Sequence, residues 1–145
     1  MHYHISGISL RLHDPVRDVG ALLERWGFEV GRSWVAGEPR TTPGGTALEG
    51  VWPDSYAYSS LPADGITLAH RLLLILKIVE PIAEDLADFA DSGGAAELFV
   101  GWHFQRNSGD RLDWELLRRL ADCRLSLSLD IYPEPEPEPE EFSDA

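Results

Sequence analysis

The sequence predicts an α+β domain, a mostly antiparallel sheet with helices on one face, in a ferredoxin-like (split β-α-β) order with an added helix and strand. Three observations predict it. Apolar and polar residues alternate in the segments Ile8 to His13, Ala96 to Phe104 and Leu125 to Tyr132, so each strand buries one face and wets the other. Helical periods lie between extended segments, giving the order strand, helix, two extended segments, helix, strand, helix, strand. The 145 residues are 43% hydrophobic, enough for one core and too few for two domains. The lone cysteine, Cys123, excludes a disulfide scaffold, a Cys-rich zinc module and an iron–sulfur site.

The first strand is expected from Tyr3 to Leu12. Ile8, Leu10 and Leu12 have the opposite parity to Tyr3 and Ile5, and a bulge near Ser6-Gly7 reconciles the registers. Asp14 reads as an N-cap and Pro15 as the first helical residue. Val16, Val19, Leu22, Leu23 and Trp26 then keep a 3.6-residue period until Gly27 stops it. Phe28 to Val35 reads as extended, and Gly37 to Gly45 as an irregular Gly/Pro-rich loop. The run Ala47 to Ser59 puts Trp52, Tyr56 and Tyr58 on one parity, with Pro53 at a bulge or edge.

After the turn Pro62-Ala63-Asp64-Gly65, a long helix is apolar nearly all round in its first half, and Pro81 must kink or restart it. Ala96, Leu98, Val100, Trp102 and Phe104 point inward on the next strand, leaving Glu97, Phe99 and His103 on the other face. Asn107-Ser108-Gly109 turns into a helix that runs to about Cys123, with Leu112, Leu116, Leu117 and Leu120 inward and Glu115 paired to Arg119. The last strand points Leu125, Leu127, Leu129 and Ile131 inward and Ser126, Ser128, Asp130 and Tyr132 outward. Residues 1–132 thus form one α+β domain, and 133–145 a disordered Pro-Glu-rich acidic tail kept extended by its charge. Phe142 would anchor the tail were it a docking peptide.

Charge narrows the function. Twelve basic and 25 acidic side chains give −13. Up to Tyr132, nineteen acids still leave −7, so no nucleic acid is expected as partner. The start, Met1-His2-Tyr3-His4, lacks a basic n-region, and the apolar run Leu72 to Val79 is broken by Lys77 and far short of the roughly 20 residues that span a bilayer. A soluble, cytoplasmic protein without a membrane partner is expected. Arginine far outnumbers the single lysine, in keeping with a GC-rich bacterial genome.

Nucleophile-elbow, zinc-protease, Walker, dinucleotide and C-x-x-C motifs are all missing, so no catalytic residue and no cofactor is assigned. His2 and His4 could chelate at i,i+2, but with no cysteine and no adjacent carboxylate to complete the set no metal is expected. The polar strand faces carry Arg11, His13, Glu97, His103, Asp130 and Tyr132, which would form a ligand-binding or acid–base face if their strands are neighbours, and a plain solvated sheet face otherwise. Glu80, Glu84, Asp85, Asp88 and Asp91 fall along one side of the long helix, either a solvated face or a docking stripe for a basic protein. Trp34 and Trp52, with Tyr56 and Tyr58, flank the Gly/Pro loop as interface hot spots or as core.

Two functions stay in play: a non-enzymatic protein-binding domain, of which an immunity-type antagonist of a basic toxin is one form, and a small-molecule-binding or hydrolytic domain using the open sheet face. A homodimer through that face ranks third.

Certain residues in order carry a resemblance. Ser9-Leu10-Arg11-Leu12 with Asp14-Pro15, Leu22-Leu23 with Trp26-Gly27, Trp34-Val35-Ala36-Gly37-Glu38, Gly50-Val51-Trp52 with Ser55, the leucine-rich helix around Leu72 to Leu76, and Leu127-Ser128-Leu129-Asp130-Ile131-Tyr132 resemble the bacterial family known as domain of unknown function 4279. The resemblance covers residues 5 to 132, and departs at Val30-Gly31-Arg32-Ser33, where such sequences often carry a proline before the tryptophan segment. It implies a small α+β domain with no established catalytic residues.

Overall fold

The computed structural model describes residues 3–62 and 64–135. Strand β1 (Tyr3–Asp14) shifts register between Ile5 and Gly7, the bulge its two parities require. Helix α1 (Val19–Arg25) begins a turn later than Asp14-Pro15 implies. Asp14 instead closes a turn by accepting from the amides of Val16 (3.0 Å) and Arg17 (2.7 Å), and Asp18 is the cap, accepting from Ala21 N at 3.1 Å. Val16 is therefore outside the helix and exposed. Gly27 ends the helix region with φ +91°.

Of the segment 28–35 only β2 (Ser33–Trp34) is strand. The Gly/Pro segment is not irregular throughout: β3 (Pro39–Thr41) pairs with β4 (Ala47–Val51) in a separate two-stranded sheet. Thr42 closes this hairpin, its amide donating to Thr46 O (2.8 Å) and its hydroxyl accepting from Thr46 N (3.0 Å), while Gly45 takes φ +89°. The run 47–59 accordingly divides at Pro53, and β5 (Ser55–Leu61) joins the larger sheet. Helix α2 (Leu68–Val79), a 3₁₀ turn (Glu80–Ile82) and helix α3 (Ala83–Asp91) make the restart that Pro81 demands. Strand β6 (Ala95–Phe104), helix α4 (Trp114–Asp122) and strand β7 (Leu125–Pro133) complete the described chain.

The fold is α+β, with a mainly antiparallel sheet. Its order is β2-β5-β1-β6-β7, with β1 antiparallel to both β5 and β6 and with β6 and β7 parallel. β1 and β2, joined through α1, are both antiparallel to β5, which lies between them as in a split β-α-β unit; β5 and β6, joined through α2 and α3, flank β1 in the same way, and the α4 crossover adds β7 parallel to β6 at the edge.

Leu10, Leu12, Ala57, Leu98 and Val100 from the strands meet Val19 and Leu23 of α1, Leu72, Ile75 and Leu76 of α2, Leu86 and Phe89 of α3, and Leu116 and Leu120 of α4 in a single core. Each fully buried leucine or isoleucine contributes about 1.5–3 kcal/mol. All four helices therefore draw on the same strand parity and leave the other uncovered.

Helix α4 is short, and its packing departs from expectation in three places. Leu117 is 47% exposed, and so, at 45% and 54%, are Leu129 and Ile131 at the far end of β7, which the nine-residue helix does not reach. Arg119 turns from Glu115 to Glu80, donating from Nε at 3.1 Å and Nη2 at 2.5 Å. Among the described residues, no helix is long and apolar enough to cross a membrane.

Candidate functional site

Strand pairing turns the uncovered parity into rows of side chains. Tyr58, Arg11, Glu97 and Ser126 form one row; Ser60, Ser9, Phe99 and Ser128 form the next. Gly101 pairs with Asp130 beyond them, and the last row is His4, His103 and Tyr132. Arg11 lays its guanidinium 3.5 Å from the centroid of Phe99, a cation–π contact, while Ser128 donates to Glu97 at 2.5 Å. A concavity of about 500 Å³ opens here, lined among others by Ser9, Arg11, Tyr58, Phe99, Asp130 and Tyr132. Its floor is low because Gly101, under Ser6, carries no side chain: a Cβ there would meet Ser6 Oγ at 2.3 Å.

Of the sequence-derived ligand set, Arg11, Asp130 and Tyr132 line this concavity, and His103 flanks it by stacking on Tyr132 at 4.8 Å between centroids. His13 does not join them. It sits opposite Ala95, eight residues along β6 from His103, roughly 27 Å at 3.3–3.4 Å per residue. Its neighbours are Glu97 (4.0 Å) and Tyr56 (4.9 Å between centroids).

Tyr132 donates its hydroxyl to Asp130, and that bond, before any other influence, lifts the phenol above its ordinary pKa. A phenol held protonated in this way supplies no base at neutral pH. The arrangement presents donors, a cation and ring faces, which is binding chemistry.

Trp34 and Trp52 stack at 3.9 Å with their planes 9° apart, and Trp34 also leans on Tyr56 at 4.5 Å. Arg32 lies 5.0 Å over Trp34, and Arg40 5.5 Å over Trp52. Trp34 Nε1 is buried with no acceptor among the described residues. Since Tyr56 and His13 lie opposite one another on the uncovered parity, this aromatic cluster is the β2/β5 end of the same sheet face.

The acidic residues lie elsewhere. Glu84, Asp85, Asp88 and Asp91 are exposed on α3, whose Leu86 and Phe89 enter the core from the helix side. Glu80 is engaged by Arg119, whose bond holds the carboxyl below its ordinary pKa, and Asp91 lies 3.6 Å from Arg124. The sheet thus separates these acidic residues from Trp34 and Trp52.

At the opposite end of the face from Trp34, His4 and His103 stack at 4.7 Å with planes 10° apart. Glu134, assigned from sequence to the tail, donates its amide to Phe104 O at 2.7 Å and sets its carboxylate 2.9 Å from His103 Nδ1 and 3.9 Å from His4 Nε2. The carboxylate that the pair His2 and His4 lacks in sequence comes from there; His2 itself lies outside the described residues. Sequence reading left Glu134 unused although Asp130, Tyr132 and Glu134 keep one strand parity. Phe99 and Tyr58 were visible on the outward parity without a partner to give them meaning.

Comparison with known proteins gives a family and no chemistry. The chain belongs to the family described as Domain of unknown function (DUF4279), whose model matches residues 2–134. No curated protein and no solved structure matches it.

Proposed function

We propose that the protein is a non-enzymatic binding domain that recognises a basic protein through its uncovered sheet face, in the manner of an immunity-type antagonist of a basic toxin. One observation carries this reading: half of the main sheet's surface has no helix over it and is clad in rings and arginine, with Arg11 on Phe99, Trp34 on Trp52, Tyr58 between these pairs and Tyr132 beyond Phe99 on β7. Tryptophan, tyrosine and arginine are the residues on which interface energy concentrates. The net charge of −13 supports a basic partner, attracted over distances that contact does not reach. The acidic side of α3 then steers association and the sheet face holds the partner.

The test is capture from the source organism's lysate with wild type, with Phe99→Ser and with Glu84→Gln/Asp88→Asn/Asp91→Asn. A stoichiometric basic protein should be held by wild type, lost with Phe99→Ser, and held less well by the charge variant at low salt only. Retention indifferent to Phe99→Ser sinks the sheet-face reading. The concavity of about 500 Å³ favours a second reading, a small polar ligand seated between Arg11 and Asp130. A thermal shift given by a metabolite to wild type and absent in Arg11→Ala would favour that reading instead.

A further inference from the structure

We infer that His4, His103 and Glu134 form a binding site for a borderline divalent transition ion, Zn²⁺ foremost. Their ligand atoms, one from each side chain, all lie within 4.8 Å of one another, and they come from three separate strands or strand ends. Two imidazoles and a carboxylate are a donor set that suits zinc, nickel and copper and offers little to magnesium or calcium, which prefer oxygen. With three protein ligands, a tetrahedral ion keeps one position for water or a further ligand.

The backbone brings these residues together. His4 and His103 are direct cross-strand partners on β1 and β6, so their side chains leave the sheet side by side. Glu134 is held by its own amide on Phe104 O and flanked by Pro133 and Pro135, whose fixed φ stiffens the chain on either side. Tyr132 backs the His103 ring at 4.8 Å, and His103 is only 21% exposed at its side chain, whereas the His4 side chain is 60% exposed and free to adjust.

A tetrahedral ion with bonds of about 2.0–2.2 Å needs donors about 3.4 Å apart. Glu134 Oε1 and His103 Nδ1 are already at 2.9 Å, so closure asks mainly for a tilt of the His4 ring out of its stacked position. An ion pair between Glu134 and a protonated His103 accounts for that one contact. It does not account for the second imidazole brought face to face with the first, an arrangement that repels when both are protonated.

Untagged full-length protein is titrated with Zn²⁺ alone in competition with a chromophoric chelator, alongside His4→Ala, His103→Ala and Glu134→Gln. Wild type should bind one ion per chain. Each variant should lose affinity by more than the roughly 10–100-fold that loss of a mere supporting partner costs. Glu134→Gln is the decisive variant, since Glu134 is half-buried outside the core and its loss leaves the core intact. Zn²⁺ bound equally by wild type and Glu134→Gln would overturn the site and point to His2 with His4 or to the Pro-Glu repeat. No saturable binding by wild type would overturn it as well.

Discussion

Asp14 shows what a single residue can be asked to do. It is 5% exposed and accepts from the amides of Val16 and Arg17 and from the Arg17 guanidinium, Nε at 2.9 Å. Burial works against its ionisation, yet these bonds, led by the Arg17 side chain, hold the carboxyl below its ordinary value of 3.8. A lowered folded-state pKa gives stability that is present above the unfolded pKa and lost as pH falls through the folded one. Asp14→Ala should therefore cost about 1–3 kcal/mol in urea unfolding at pH 7. The difference from wild type should shrink as pH drops below about 4, and a gap constant to pH 2.5 would refute this role. The sequence showed that Asp14 caps something, because Asp followed by Pro is a start signal. It did not show that the capped object is one turn of chain before Asp18, since either aspartate satisfies the same local rule.

At the scale of elements, two helix ends solve one geometric problem with different residues. Past α3 the chain takes φ +102° at Gly93, and past α4 it takes φ +57° at Arg124, where a side chain makes the left-handed conformation costly. Arg124→Gly should raise stability by up to about 1 kcal/mol despite losing the 3.6 Å approach to Asp91, and a lower melting temperature would contradict this. Gly94 behaves oppositely. A Cβ there would meet the Phe89 ring at 2.3 Å, and Phe89 is core, edge-on to Trp26 at 6.0 Å. Gly94→Ala should cost about 1–3 kcal/mol and shift tryptophan emission; an unchanged spectrum and midpoint would show that the ring yields freely.

Helices, the restart at Pro81 and the inward set of β6 were legible because periodicity and proline chemistry are local. The β3/β4 hairpin was not, because its Gly/Pro content reads equally as loop. Nor was the exposure of Leu129 and Ile131, since a strand's parity carries no information on how far a neighbouring helix reaches.

For the whole molecule, the sequence identified the members of the uncovered face better than their neighbours. Arg11, His103, Asp130 and Tyr132 were all legible from alternation, but strand order decides that His13 stands apart and that Trp34 and Trp52 belong to this face while α3 lies behind it. That division makes stability and recognition separable. Glu84→Gln/Asp88→Asn/Asp91→Asn changes the net charge from −13 to −10 and removes the like-charge i,i+4 pair Glu84 and Asp88 and the i,i+3 pair Asp88 and Asp91. Each such pair costs about 0.2–0.5 kcal/mol, and Asp91 also opposes the dipole at the end of α3. Against these stand the loss of Glu84 from the first turn of α3 and of the 3.6 Å approach of Asp91 to Arg124, so the variant should melt close to wild type. If α3 acts only by steering, the captured partner should associate with it more slowly and with a flatter dependence on salt, while the dissociation rate stays the same. The sheet-face variant Tyr58→Ala should do the converse, speeding dissociation at an unchanged salt dependence. Surface plasmon resonance on both variants separates these outcomes. A faster dissociation from the α3 variant would mean that the partner touches the helices, and the division of labour across the sheet would fall.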